Sequence, residues 1–97
     1  FLLTSDIGVN QQERIFAQYP EALKSSCIQI PHHGWDVSPL LKNAPAETIF
    51  VASTGVDTQH PQAPQNLESF PGRLFRTDRD GTIVLESDGR KVRIIRP

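Results

Sequence analysis

Four residues of this 97-residue sequence, each lying beyond a short apolar run, stand out as candidates for metal or acid–base chemistry. Asp6 closes Leu2-Leu3-Thr4-Ser5. His32 and His33 follow Cys27-Ile28-Gln29-Ile30-Pro31, and His60 stands in Gln59-His60-Pro61, beyond the run Thr48-Ile49-Phe50-Val51-Ala52. Ligand sites of α/β sheets gather at the carboxyl ends of the strands. One carboxylate and up to three imidazoles converging there match the donors that zinc, manganese or iron prefer. Each residue also has an ordinary reading: Asp6 as a turn residue, one of the two adjacent histidines as a surface group, His60 as a loop histidine. Pro31 and Gly34 on either side of the histidine pair point to a fixed loop.

The elements that must position these groups follow from hydrophobic spacing and turn chemistry. Phe1 to Thr4 reads as a short buried strand closed by the turn Ser5-Asp6-Ile7-Gly8. Asn10 followed by Glu13 has capping-box spacing, and Ile15, Phe16 and Tyr19 recur at helical intervals until Pro20. Cys27 to Ile30 is a second strand. Ser38-Pro39 reads as an N-cap with proline at the first helical position, opening a short helix through Leu40, Leu41 and Lys42. Thr48 to Ala52, rich in β-branched and aromatic residues, is the clearest strand. Gly55 to Pro64 reads as irregular, Pro64 to Phe70 as a helix of two turns, and Leu74 to Thr77 as another strand. Gly81 to Leu85 and Lys91 to Ile95 flank Asp88-Gly89, a hairpin signal. Alternating strands and helices call for an α/β layered fold, and the helices cover only part of its sheet.

Composition narrows the class. The chain is one small domain at most, with 37% hydrophobic residues, eight prolines and six glycines, which favours short elements joined by turns. Its single cysteine, Cys27, excludes a disulfide framework and a cysteine-based zinc cluster, and reads as a small buried hydrophobe. No run approaches the roughly 20 apolar residues of a membrane span, so no transmembrane segment is expected, and no signal peptide is recognisable. The net charge of −1 is unevenly spread: residues 1–72 carry −4, and Arg73 to the end carries +3. That division places cation-binding carboxylates near a polyanion-binding surface, or else reflects the solvated faces of a mixed domain. The chain opens in mid-strand and has no methionine, which reads as a boundary within something longer.

Four segments carry a family resemblance. Phe1-Leu2-Leu3-Thr4-Ser5-Asp6-Ile7 resembles the Leu-Leu-Thr-Gly-Asp-Ile segment of ComEC-like DNA-uptake (competence) proteins, and Pro31-His32-His33-Gly34 resembles their Pro-His-His-Gly-Ser motif. Gln59-His60-Pro61 is similar to their Gly-His-Pro segment, and Thr77-Asp78-Arg79-Asp80-Gly81-Thr82-Ile83 to their Thr-Asp-x-x-Gly-x-Ile stretch. The four occur in the family's order and cover essentially the whole chain.

The resemblance implies an α/β chain that forms the second half of a metallo-β-lactamase αββα sandwich, incomplete on its own, with two divalent metals, zinc or manganese, in the intact domain. It implies Asp6 as the carboxylate bridging both metals and His32 as a metal ligand, with Asp6 and His32 as the catalytic pair. His33 is a further ligand or faces substrate, His60 touches substrate or orients a ligand, and Asp78 supports the site or serves as a turn residue. Arg90, Lys91, Arg93 and Arg96 guide a nucleic-acid backbone or are solvated hairpin charges. The implied partners are DNA, the N-terminal half of the same domain with its H-x-H-x-D-H segment, and the membrane-channel portion of the parent. The implied location is a soluble domain of a bacterial inner-membrane protein. The implied reaction is metal-assisted phosphodiester hydrolysis during natural transformation. Ser5, Trp35, Asp36 and Gln59 depart from the family pattern. With only two or three ligands, the chain by itself is expected to bind metal weakly and not to turn over substrate. The alternatives are an inactive module of this fold that binds DNA or a partner protein, and another hydrolase of the same fold.

Overall fold

The computed structural model describes residues 1–55, 66–67, 70 and 73–96. Three strands, β1 (Cys27–Gln29), β2 (Ile49–Ala52) and β3 (Arg73–Arg76), form a parallel sheet in chain order. Cys27 pairs with Ile49, and Ile49 with Arg73. The N-terminal segment extends the sheet through a single parallel bridge between Leu2 and Ile28. Two backbone hydrogen bonds hold it, Leu2 N to Cys27 O and Gln29 N to Leu2 O, each 2.9 Å. A separate antiparallel hairpin, β4 (Val84–Ser87) and β5 (Val92–Arg96), completes the chain. The fold is α/β, and among the described residues no helix is long and apolar enough to cross a membrane.

Alternation along the parallel strands sorts their side chains onto two faces. Ile28, Ile30, Phe50 and Ala52 join Phe16, Leu23, Leu41, Leu67 and Phe70 in one core, with Leu2 and Leu74 packed at its margin. Phe50 and Phe70 meet at a ring-centroid distance of 5.0 Å in a tilted arrangement, a favourable aromatic geometry. Helix α1 (Val9–Gln18) covers part of this face. Two 3₁₀ turns, Pro20–Lys24 and Pro39–Asn43, contribute Leu23 and Leu41 to the core. On the opposite face Cys27 and Ile49 are buried, whereas Phe1 and Leu3 are 60% and 78% exposed.

Helix α1 departs from the sequence expectation in its cap and in its buried face. Its N-cap is Gly8, which has no side chain to offer, and Asn10 lies inside the helix. The carboxylate of Asp36, distant in sequence, accepts from Val9 N at 3.2 Å instead. The buried positions are Gln12 and Phe16, while Ile15 and Tyr19 are exposed. Gln12 is fully buried because its amide meets three backbone groups. Nε2 donates to Ile7 O (2.9 Å) and Asp36 O (2.6 Å), and Oε1 accepts from Ser38 N (2.7 Å). A buried amide satisfied in this way costs little, whereas an unpaired one costs about 1–3 kcal/mol.

Ser38 caps the turn Pro39–Asn43 by accepting from Leu40 N at 3.2 Å, with proline in its first turn as its type predicts. The Asp88-Gly89 turn also forms. Asp88 Oδ1 accepts from both Arg90 N and Lys91 N at 2.8 Å, and Gly89 takes φ 90°. Of the helix expected over Pro64 to Phe70, Asn66 and Leu67 are helical, and positions 64, 65, 68 and 69 lie outside the described residues. Most of the expected irregular stretch from Gly55 to Pro64 lies outside them too. One short helix, α2 (Thr77–Asp80), was not anticipated.

Candidate functional site

All strands of the parallel sheet point the same way, so the loops that follow them collect at one edge. Asp6 follows the Leu2 bridge, His32 and His33 follow β1, Ser53 and Thr54 follow β2, and Thr77 and Asp78 follow β3. The side chain of Gln29, the last residue of β1, anchors the first of these loops. Its Oε1 accepts from Thr4 N (2.9 Å) and Ser5 N (3.0 Å), and Thr4 Oγ1 donates to Gln29 O at 2.9 Å. His32 N donates to Ser5 O at 2.9 Å and ties the first loop to the second. Thr77 ties the third to the fourth: its Oγ1 donates to Thr54 O and accepts from Thr54 N, both at 2.9 Å.

The backbone of these loops is strained. Ser5 (φ 53°), His32 (φ 52°) and His33 (φ 57°) are the non-glycine residues at positive φ among those described, and all three sit in the two loops that meet here. Each such residue costs about 1–2 kcal/mol relative to ordinary backbone, and strain of this kind concentrates at functional sites. Gly34 continues the run at φ 80°, with Leu67 so close that a Cβ would stand 3.0 Å from its side chain. Asn66 Nδ2 donates to Gly34 O at 2.9 Å and helps hold the turn. Only glycine meets both requirements at position 34.

This strained turn brings His33 against Asp6. His33 Nε2 lies 3.2 Å from Asp6 Oδ1, and His33 Nδ1 lies 2.8 Å from Ser53 O. A carbonyl oxygen has no proton to give, so Nδ1 carries the hydrogen, and in the neutral ring Nε2 presents a lone pair to the carboxylate. Two lone pairs at that distance require a positive centre between them, either a second ring proton or a cation. An octahedral or tetrahedral cation with ligand bonds of about 2.0–2.2 Å spaces neighbouring donor atoms by about 2.8–3.6 Å, which brackets this separation. The side chains are partly open to solvent, 39% for His33 and 68% for Asp6, so as a bare ion pair in water they contribute little to stability.

His32, expected as the ligand, is held differently from His33. Its Nδ1 is buried with no hydrogen-bond partner among the described residues. The ring packs against Trp35 at a centroid distance of 4.9 Å, as does the ring of His33. Asp78 stands beside the edge but is engaged by Arg76, whose Nε and Nη2 donate to its two oxygens at 3.0 and 2.8 Å. That fork holds the Asp78 carboxyl below its usual range. Asp80 is also lowered, by Arg79 and by the backbone N–H of Arg76. Burial raises the Cys27 thiol, which keeps it out of nucleophilic chemistry. His60 and the side chain of Arg96 lie outside the described residues. Asp6 and His33 fit two neighbouring ligands of one cation. Among the described residues no set of three His, Cys, Asp or Glu side chains comes together to hold a metal.

The basic residues expected along a nucleic acid divide. Arg93 is held across the hairpin by Glu86, with Nη2 at 2.6 Å and Nε at 3.1 Å. Arg90 and Lys91 lie at the other end of the sheet, where with Lys24, Arg73 and residues just before β1 and β2 they line a cleft. Sequence reading missed Gln29, Ser53, Gln12, Lys24 and Arg73. Gln29 is a polar residue within the apolar run Cys27 to Ile30, a weak signal, whereas Gln12 lies in the polar stretch Asn10 to Arg14 and, like the others, depends on contacts distant along the chain. No protein-family model, no curated protein and no solved structure matches this chain.

Proposed function

We propose that this chain supplies part of a divalent-cation site for phosphodiester hydrolysis, in a metallo-β-lactamase-type domain of a ComEC-like DNA-uptake protein. The observation that carries the reading is the His33–Asp6 pair: an imidazole held at Nδ1 by Ser53 O so that its Nε2 stands 3.2 Å from a carboxylate oxygen. Support comes from the strained backbone at Ser5, His32 and His33 and from the ordered resemblance of four segments to the competence family. In this reading Asp6 and His33 hold a zinc or manganese ion. Such an ion lowers the pKa of bound water toward about 7 and offsets charge developing on phosphate. The protein's part is to fix the ligand atoms. Ser53 O sets the His33 tautomer and ring angle, an arrangement that orients metal-bound histidines generally. Gln29 and the Ser5–His32 hydrogen bond hold the carboxylate loop in register with the imidazole.

A second reading, a module of the same type that binds DNA or a partner without cleaving, draws on two observations. The described residues offer two ligands where a binuclear hydrolase needs more, and Asp78 is taken up by Arg76.

Titration with Zn²⁺ and Mn²⁺, followed by calorimetry and elemental analysis, tests the site. Bound cation that falls at least about tenfold in affinity in both Asp6→Asn and His33→Gln supports it. Identical binding in the wild type and both variants sinks it. Hydrolysis of bis(p-nitrophenyl) phosphate by the cation-loaded protein then separates the two readings. Turnover lost in Asp6→Asn favours the hydrolase, and cation binding without turnover favours the binding module.

A further inference from the structure

We propose that the cleft at the amino ends of the strands is a phosphate-backbone-binding surface for nucleic acid, separate from the Asp6–His33 site. It rests on the nucleic-acid part of the reading above and is independent of the metal. The cleft holds about 290 Å³ and is lined by Lys24, Arg73, Arg90 and Lys91, with Glu47 the single carboxylate among its lining residues. Its cations come from separate parts of the chain. Lys24 ends the turn before β1, Arg73 opens β3, and Arg90 and Lys91 stand at the tip of the hairpin. All four are exposed. None of their side chains forms an ion pair among the described residues, whereas Arg76, Arg79 and Arg93 each do. Asp88 beside them is occupied by the backbone N–H groups of Arg90 and Lys91, which also lower its carboxyl.

Four unpaired cations converging around one carboxylate leave a local positive excess in a chain whose net charge is −1. Ser26, which is exposed, adds a hydroxyl group to the same wall, suited to phosphate oxygens. The lining has no aromatic side chain on which a base would stack, so recognition is of the backbone and independent of base sequence. Of the apolar lining residues Ile49 is buried (3% exposed) and Pro45 and Val92 are half-buried, which is little apolar surface to enter a bilayer and favours a strand over a lipid surface. Strands of three or four residues separate this cleft from the loops at the carboxyl edge, a distance of about 10–14 Å, so one strand of nucleic acid can touch both ends.

The test is binding of a fluorescent 20-nucleotide oligothymidylate in EDTA, measured at several salt concentrations between 50 and 200 mM. Four contacts to a single strand predict a slope of log K against log salt of about −3. Arg90→Gln/Lys91→Gln and Lys24→Gln/Arg73→Gln should each cut that slope by about half. Arg93→Gln, whose guanidinium is already held by Glu86, should leave it unchanged. Slopes equal to wild type in both double variants overturn the proposal, as does an Arg93→Gln effect as large as theirs. Retention on phosphatidylglycerol vesicles with no oligonucleotide binding overturns it in favour of a membrane surface. Because EDTA removes any cation, failure of the metal reading leaves these slopes untouched.

Discussion

The two ends of the parallel sheet are built on opposite principles. At the carboxyl ends, side chains and backbone are locked together. Gln29 holds the Thr4–Ser5 loop, Ser5 O holds His32 N, Ser53 O holds His33, and Thr77 clasps Thr54, with three non-glycine residues in left-handed conformations. At the amino ends, four long cationic side chains stand around a cleft without an ion pair among the described residues, on backbone that carries no such strain at Lys24, Arg73, Arg90 or Lys91. The contrast separates two demands. Chemistry at a fixed distance needs rigidity, which has to be stabilised by the rest of the fold. Holding a polyanion needs only charge and reach.

The comparison is most sharply tested at Gly34. Replacing it with alanine forces a Cβ against Leu67 at a positive φ, and we expect a loss of about 2–3 kcal/mol in urea unfolding. A loss below about 0.5 kcal/mol would mean that the histidine turn is not locked. Next comes Gln12→Leu. It deprives Ser38 N of its acceptor and the carbonyls of Ile7 and Asp36 of their donor, with an expected cost of about 2 kcal/mol by the same measurement. His32→Gly relieves a left-handed residue, so stability should hold or rise by about 1 kcal/mol. A marked loss would show that the ring's packing on Trp35 outweighs the strain. Arg90→Gln/Lys91→Gln should change stability by less than about 0.5 kcal/mol, because neither side chain has a partner to lose.

The smallest effect concerns pH. Asp78, Asp80 and Asp88 all have carboxyls lowered in the folded chain. Their stabilisation is therefore fully present above the ordinary carboxylate value of about 4 and is lost as the pH falls through the lowered folded values. Stability measured from pH 6 downward should decline in that window, and Asp78→Asn should make the decline shallower. An unchanged acid limb in that variant would show that the Arg76 fork is not felt in solution.

Sequence reading located the strands over Cys27, Ile49 and Leu74, the Ser38-Pro39 cap and the Asp88-Gly89 turn, because each depends on residues within a few positions of one another. It failed at α1. The capping-box spacing of Asn10 and Glu13 was local and complete, yet Asp36, 27 positions beyond Val9, supplied the contact. The helix then turned Gln12 inward because the loop carbonyls of Ile7 and Asp36 offered hydrogen bonds that Ile15 could not use. The candidate site divides in the same way. Asp6 and the histidine pair stood out by residue type and by their place after apolar runs. Which histidine meets Asp6 depended on a backbone turn that no spacing encodes.

By itself, then, the sequence determined the α/β alternation, the position of chemically capable residues after strands and the basic bias of the tail, all of which are local or additive properties of the chain. Tertiary structure alone decided that His33 faces Asp6, that Arg76 occupies Asp78 and Glu86 holds Arg93, and that Lys24 and Arg73 join Arg90 and Lys91. The physical reason is that hydrogen bonds and ion pairs are settled within about 3 Å. Groups far apart along the chain reach that distance only once the sheet has set the register of its strands.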